Sequence, residues 1–175
     1  MMQKAIHLLT SILLMLITAC STPPQPESTI IEHPNSSDLL EPIMLGNNTT
    51  VIKFTIPMYA EANFRLLDTK HYRHKFDYVA NINFNDKDCI NGHNAALEYK
   101  QNLNDHYARY FDNPAKWNQQ NILLLKLSQN KKELTATLNN ETITINTIKP
   151  IRFLHITSEP EHLKLQSVQV LNNKE

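Results

Sequence analysis

Ile122-Leu123-Leu124-Leu125-Lys126-Leu127, then Gln129-Asn130-Lys131-Lys132, then Glu133-Leu134-Thr135-Ala136-Thr137-Leu138, then Asn139-Asn140 and Glu141-Thr142-Ile143-Thr144-Ile145: the reading of this stretch decides the fold. Successive side chains of a strand point to opposite faces, so a half-buried strand shows an apolar residue at every second position. Leu134, Ala136 and Leu138 alternate with Thr135 and Thr137, and Ile143 and Ile145 continue the period after the asparagine pair. The clusters between these runs are rich in residues that close turns. Short alternating runs joined by short polar turns read as antiparallel strands.

The pattern extends both ways. Upstream, Ile52, Phe54 and Ile56 oppose Val51, Lys53 and Thr55, and Pro57 closes the run. Phe76, Tyr78, Ala80, Ile82 and Phe84 oppose Asp77, Asn81 and Asn83, which reads as a strand with one wet face, and Ala95, Leu97 and Tyr99 form a further strand. Tyr59 to Leu67 fits helix or strand equally, because Ala60, Phe64 and Leu67 have helical spacing while Phe64 and Leu66 alternate. Leu103, Tyr107 and Tyr110 lie near helical spacing before Asn113-Pro114, which predicts a short helix or an irregular excursion. Downstream come runs at Ile151 to Ile156 and Leu163 to Leu171, separated by Glu159-Pro160-Glu161. The expectation is an all-β antiparallel sandwich with at most one or two short helices.

Seventeen Lys and Arg balance seventeen Asp and Glu, which argues against a nucleic-acid partner, since such a partner needs a basic face. The one basic cluster, His71 to Lys75, reads as a solvated loop. No Gly-x-Ser-x-Gly, His-Glu-x-x-His, Gly-rich phosphate loop or Cys-x-x-Cys occurs. No cofactor is implied. Asp86, Asp88, Asn91 and Gly92 suggest a calcium loop, but an extra residue separates Asp88 from Asn91, so turn chemistry accounts for them and no metal is assigned. Glu98, Asp105, Asp112 and Glu141 are the carboxylates a hydrolase could use, although nothing in the sequence pairs them.

The first residues have their own logic. Lys4 precedes an apolar run from Ala5 to Ile17, shorter than the roughly 20 residues a membrane span needs. Ile17-Thr18-Ala19-Cys20 resembles a bacterial lipobox, and that resemblance implies a cleaved signal over residues 1–19 and acyl chains on Cys20. Two chains suffice for stable anchoring. With Cys20 consumed, Cys89 has no intramolecular partner and reads as a small buried hydrophobe or a link to another chain. Ser21, where an inner-membrane retention signal would place Asp, implies delivery to the outer membrane. Pro23, Pro24, Pro26, Pro34 and Pro42 mark residues 20–48 as a tether, with the patch Leu39-Leu40, Ile43 and Leu45 apolar enough to dock on the domain. The sandwich is then residues 49–171, and 172–175 a tail.

The second half is similar to concanavalin A-like and laminin G-like jelly rolls, including lipoprotein-borne domains related to 3-keto-disaccharide hydrolases. Trp117-Asn118 before Ile122 to Leu127, Glu133 to Asn140, and Leu163 to Val170 carry the resemblance. In the last of these the apolar phase slips by one residue between Leu165 and Val168, as at a β-bulge, so that Leu163, Leu165, Val168 and Val170 would all face the core. Asn140 stands where that family usually has glycine, and Asn tolerates positive φ. No family catalytic or metal residue maps onto this chain. The functional expectation is a non-catalytic binding or scaffolding module for glycan, peptidoglycan or an envelope protein. A glycan-directed hydrolase and a subunit of a secretion or pilus assembly are the alternatives. Tyr107, Tyr110 and Trp117 are candidate sugar-stacking aromatics, with a core role as the competing account.

Overall fold

The computed structural model describes residues 28–31, 42–57, 60–71, 77–85, 94–102, 105–112, 116–158 and 163–171. Residues 1–19, Cys20, Cys89, the basic residues 72–75, the turn residues Asp86, Asp88, Asn91 and Gly92, and the tail 172–175 lie outside them. Every regular element among the described residues is a strand. These are β1 (Ser28–Ile31), β2 (Ile43–Met44), β3 (Thr49–Thr55), β4 (Glu61–Leu67), β5 (Ala80–Asn85), β6 (Asn94–Lys100), β7 (His106–Tyr110), β8 (Gln120–Leu127), β9 (Glu133–Leu138), β10 (Glu141–Asn146), β11 (Phe153–Ser158) and β12 (Lys164–Leu171). They form two antiparallel six-stranded sheets, ordered β1-β12-β3-β8-β9-β10 and β2-β11-β4-β5-β6-β7. The architecture is the all-β antiparallel sandwich expected from the alternation, and the jelly roll that the resemblance implies.

Alternation becomes packing directly. Ile52, Phe54 and Ile56 of the first sheet and Ala62, Phe64, Leu66, Ile82 and Phe84 of the second are buried and belong to one core cluster. Its centre is a triangle of rings. Phe54 lies 5.0 Å from Phe64 and 5.2 Å from Phe84, and Phe64 lies 5.4 Å from Phe84, at tilted or edge-to-face angles that suit the ring quadrupole.

Residues 61–67 form a strand: Ala62, Phe64 and Leu66 are buried in alternation, and the helical spacing of Ala60, Phe64 and Leu67 is incidental. Of the stretch Leu103 to Phe111, where a short helix or an irregular excursion is expected, residues 106–110 are strand β7, paired with Ala96 to Lys100, and Leu103 lies outside the described residues. The stretch 20–48 is not all tether. Ser28 to Ile31 pairs with the last strand, Ile43 and Met44 pair with β11, and Leu45 enters the core. The short apolar runs Ile30-Ile31 and Ile43-Met44-Leu45 pair despite the surrounding prolines, none of which falls within a strand among the described residues.

The bulge stands where the phase slips. Leu165 faces Phe54 and Ser167 faces Lys53, so Gln166 is the extra residue, and its side chain donates to Thr55 Oγ1 at 2.7 Å. Val168 is fully buried, Leu163 and Leu165 pack against the core edge, and Val170 is half-buried. At the Asn139-Asn140 turn the positive φ falls on Asn139 (54°), one residue earlier than expected. Asn139 is held there because its Oδ1 accepts from Ile122 N at 3.1 Å and its Nδ2 donates to Asn121 Oδ1 at 3.1 Å.

Phe64→Ala removes one corner of the ring triangle and opens a cavity between the sheets. A loss of about 3–5 kcal/mol is expected, a large share of a domain's usual stability. Urea melts of the two proteins measure it.

Candidate functional site

The same parity that sends Phe64, Ile82 and Leu97 inward sends Arg65, Asn81 and Glu98 to the outer face of the second sheet. Register then lines residues up across four strands. His155 faces Arg65, Arg65 faces Asn81, and Asn81 faces Glu98; one step along, Thr157 faces Asn63 and Asn63 faces Asn83. The sandwich therefore carries a polar row running across β11, β4, β5 and β6.

This row is not a wet face. Asn81 is only 3% exposed and His155 8%. Asn81 Nδ2 donates to Asn63 Oδ1 at 2.9 Å and to Glu98 Oε2 at 3.1 Å, and the Tyr78 hydroxyl donates to the same Glu98 oxygen at 2.9 Å. Asn81 Oδ1 and Thr157 Oγ1 are buried and have no hydrogen-bond partner among the described residues. The neighbours carry the asparagines below the surface: Arg65 and Glu98 flank Asn81 in register, and Tyr78 closes one end of the row.

The electrostatics follow from burial. Burial first, then the Glu98 carboxylate, pushes the Tyr78 hydroxyl well above the ordinary phenol range, so it stays a donor at neutral pH. Burial also lowers the His155 pKa below its ordinary 6.5, and the Arg65 guanidinium adds to the effect. A neutral imidazole both donates and accepts. Beyond Tyr78, Lys100 Nζ sits 5.5 Å from the phenol ring centre and the His106 ring stands edge-on at 6.2 Å. A cleft of about 330 Å³ opens beside this end, lined by Asp68, His71, Asp77, Tyr78, Lys100 and Lys149 among others, with Lys149 and Asp68 ion-paired at 2.8 Å.

The three aromatic candidates do not meet. Tyr110 is 61% exposed and faces Ala96 on the side of the polar row, whereas Tyr107 is 42% exposed on the opposite face, its ring 5.9 Å from that of Tyr99. Trp117 packs against the core in the turn before β8. That turn is set by the fully buried Asn121, whose Oδ1 accepts from Lys116 N and whose Nδ2 donates to the Lys116 and Gln119 carbonyls.

Of the four carboxylates, Glu98 belongs to the row, Asp105 is tied to Asn102, and Glu141 accepts from the Asp112 backbone N–H at 2.7 Å. Among the described residues no group of three His, Cys, Asp or Glu side chains could hold a metal ion. Ser128 and Lys131 have Ser-x-x-Lys spacing but form a turn: Ser128 Oγ donates to Asn130 Oδ1, and Lys131 Nζ donates to the Leu45 carbonyl. The residues that sequence reasoning passed over are Asn63, Arg65, Asn81, His155 and Thr157. Their signal was the recurrence of amide and guanidinium groups on the outward phase of consecutive strands.

With this geometry, the chain is similar to galectin structures, the class of sandwich to which its fold corresponds. Galectin LEC-6 of Caenorhabditis elegans superposes with a TM-score of 0.57 at 12% identity, covering 82% of this chain and 96% of that one. A tetrameric galectin from the ball sponge Cinachyrella gives 0.54 at 8% identity, with 83% and 100% covered. Congerin II, solved with lactose and MES, gives 0.54 at 9% identity, with 81% and 98% covered. No protein-family model matches the sequence, and no curated protein matches it. The likeness is one of fold.

The lowered His155 pKa has a definite sign. Between the folded value and 6.5 the unfolded chain binds the extra proton and the folded chain does not, so stability rises with pH across that window and falls on acidification from pH 7. Melting temperatures between pH 7.5 and 5 should show a drop that His155→Gln makes shallower; parallel curves for the two proteins would contradict a buried neutral imidazole.

Proposed function

We propose that this protein is a non-catalytic glycan-binding module, held to the outer membrane of a bacterial envelope by a lipid on Cys20. The observation that carries the glycan half is the row of amide, guanidinium and imidazole groups that register lines up on the outer face of the second sheet, across β11, β4, β5 and β6. A sugar hydroxyl can donate to one oxygen and accept from a neighbouring N–H, so a row of amide, guanidinium and imidazole groups suits a chain of hydroxyls. Tyr110, exposed on the same side, offers a ring to the apolar face of a pyranose. The shared fold with lactose-bound congerin II supports this reading by analogy.

A saccharide array followed by calorimetry on the ligands it reveals, with lactose included, tests the glycan reading. Asn81→Ala should weaken binding about tenfold or more, equivalent to roughly 1.4 kcal/mol, while Thr137→Ala on the outer face of the other sheet leaves it unchanged. A protein that retains no saccharide on the array overturns the reading.

Ile17-Thr18-Ala19-Cys20 supports the anchor, with the short apolar run before it. Cells fed labelled palmitate should incorporate it into the wild-type protein and leave Cys20→Ala as an unlabelled, unprocessed precursor. Label on the mutant would remove the anchor from the proposal.

A further inference from the structure

Only residues 21–27 separate Cys20 from Ser28, where β1 begins, and eight residue steps span at most about 29 Å when fully extended. Six strands about 4.8 Å apart make a sheet roughly 24 Å across. An acyl group on Cys20 therefore keeps the β1 edge of the first sheet within little more than one sheet width of the lipid.

The outer face of that sheet carries charge of one sign over most of its area. Burial of Ile52, Phe54, Leu123 and Leu125 sends Lys53 of β3 and Lys126 of β8 outward, and Lys164 of β12, opposite Thr55, faces out beside them. Val51, Ile122 and Leu124 lie on the same face. Beyond them the threonine hydroxyls of β9 and β10 bond one another, Thr135 to Thr144 at 3.1 Å and Thr137 to Thr142 at 2.9 Å. Across the outward positions of β3, β8, β9, β10 and β12 the one acid is Glu133, at the first residue of β9. None of the three lysines is ion-paired among the described residues. The outer face of the second sheet instead mixes signs, Arg65 and Lys100 with Glu61 and Glu98.

We propose that the outer face of the first sheet lies against the anionic lipid surface in which Cys20 is anchored, held there by Lys53, Lys126 and Lys164. This rests on the acylation of Cys20 proposed above. The attraction of a lysine to an anionic leaflet fades within about a Debye length, roughly 8 Å at physiological salt, so exposed lysines act only on a face that is kept close. The short link supplies the closeness, and the charge selects the face. Because the two sheets pack face to face, docking by the first turns the polar row of the second away from the lipid, toward whatever the protein meets.

The mature protein, reconstituted in vesicles of phosphatidylethanolamine and phosphatidylglycerol, tests the docking. In a Cys89→Ser background a fluorophore is attached through Gln120→Cys, exposed on the outer face of the first sheet, or through Ala108→Cys, exposed on that of the second. Acrylamide in the water should quench the label at 120 several-fold less than the label at 108, and a lipid spin-labelled at its headgroup should do the reverse. In phosphatidylcholine vesicles, or with Lys53→Glu and Lys126→Glu together, the two labels should become alike. High salt should have the same effect, which keeps the test decisive if the charge variant does not fold. A protein that mass spectrometry finds without acyl chains removes the anchor and this proposal with it. An acylated protein whose two labels are equally open to acrylamide in the anionic vesicles overturns the docking and leaves the anchor standing. Shielding at 120 that persists in phosphatidylcholine, or that rises with protein density on the vesicle, marks contact with another chain and overturns the docking as well.

Discussion

The contact between Phe54 of one sheet and Phe64 and Phe84 of the other fixes what every other residue can do. Three rings within about 5.5 Å of one another settle which phase of β3, β4 and β5 faces inward. Because the strand period is two, settling one residue settles the whole strand, and a slip by one would drive Arg65 and Asn81 into the core. The polar row is therefore a consequence of the aromatic packing beneath it.

The same coupling explains why polar groups are buried on an outer face. Antiparallel register brings large side chains side by side on neighbouring strands, and Arg65, Asn81 and Glu98 shield one another from solvent. Once shielded, they must satisfy each other. Glu98 answers with two donors on one oxygen, from Tyr78 and Asn81, and burial keeps Tyr78 protonated so that it can be one of them. His155 beside Arg65 avoids a second positive charge by staying neutral. Asn81 Oδ1 and Thr157 Oγ1 are left without a hydrogen-bond partner among the described residues.

Much of the fold was legible because alternation is a local property. The strands around Ile52, Ile82, Leu97, Leu134 and Ile143 could be read from their own residues, and the bulge near Leu165 from a phase slip of one. What failed depended on partners distant in sequence. Residues 106–110 are a strand because β6 pairs with them, and Ile30-Ile31 because the last strand does, neither of which local spacing records. The site was hidden for a related reason. An asparagine at an outward position looks solvated until one knows that a glutamate 17 residues away in sequence lies against it. The aromatic candidates were chosen by residue type, and type does not say that Tyr107 and Tyr110 occupy opposite faces.

The pairing of the first described strand with the last has a consequence for biogenesis. Ser28 to Ile31 lies beside Val168 to Leu171, β3 also leans on the final strand, and β4 waits for β11. A ribosome delivers the chain from its N-terminus, so β1 emerges without its sheet partner, and β3 and β4 each keep one edge unpaired, until almost the whole polypeptide is out. Contacts of such long sequence separation fold slowly and expose unpaired edges meanwhile. Neither sheet can therefore be completed until the last two strands have been made, and the finished sandwich is a late event for the nascent chain.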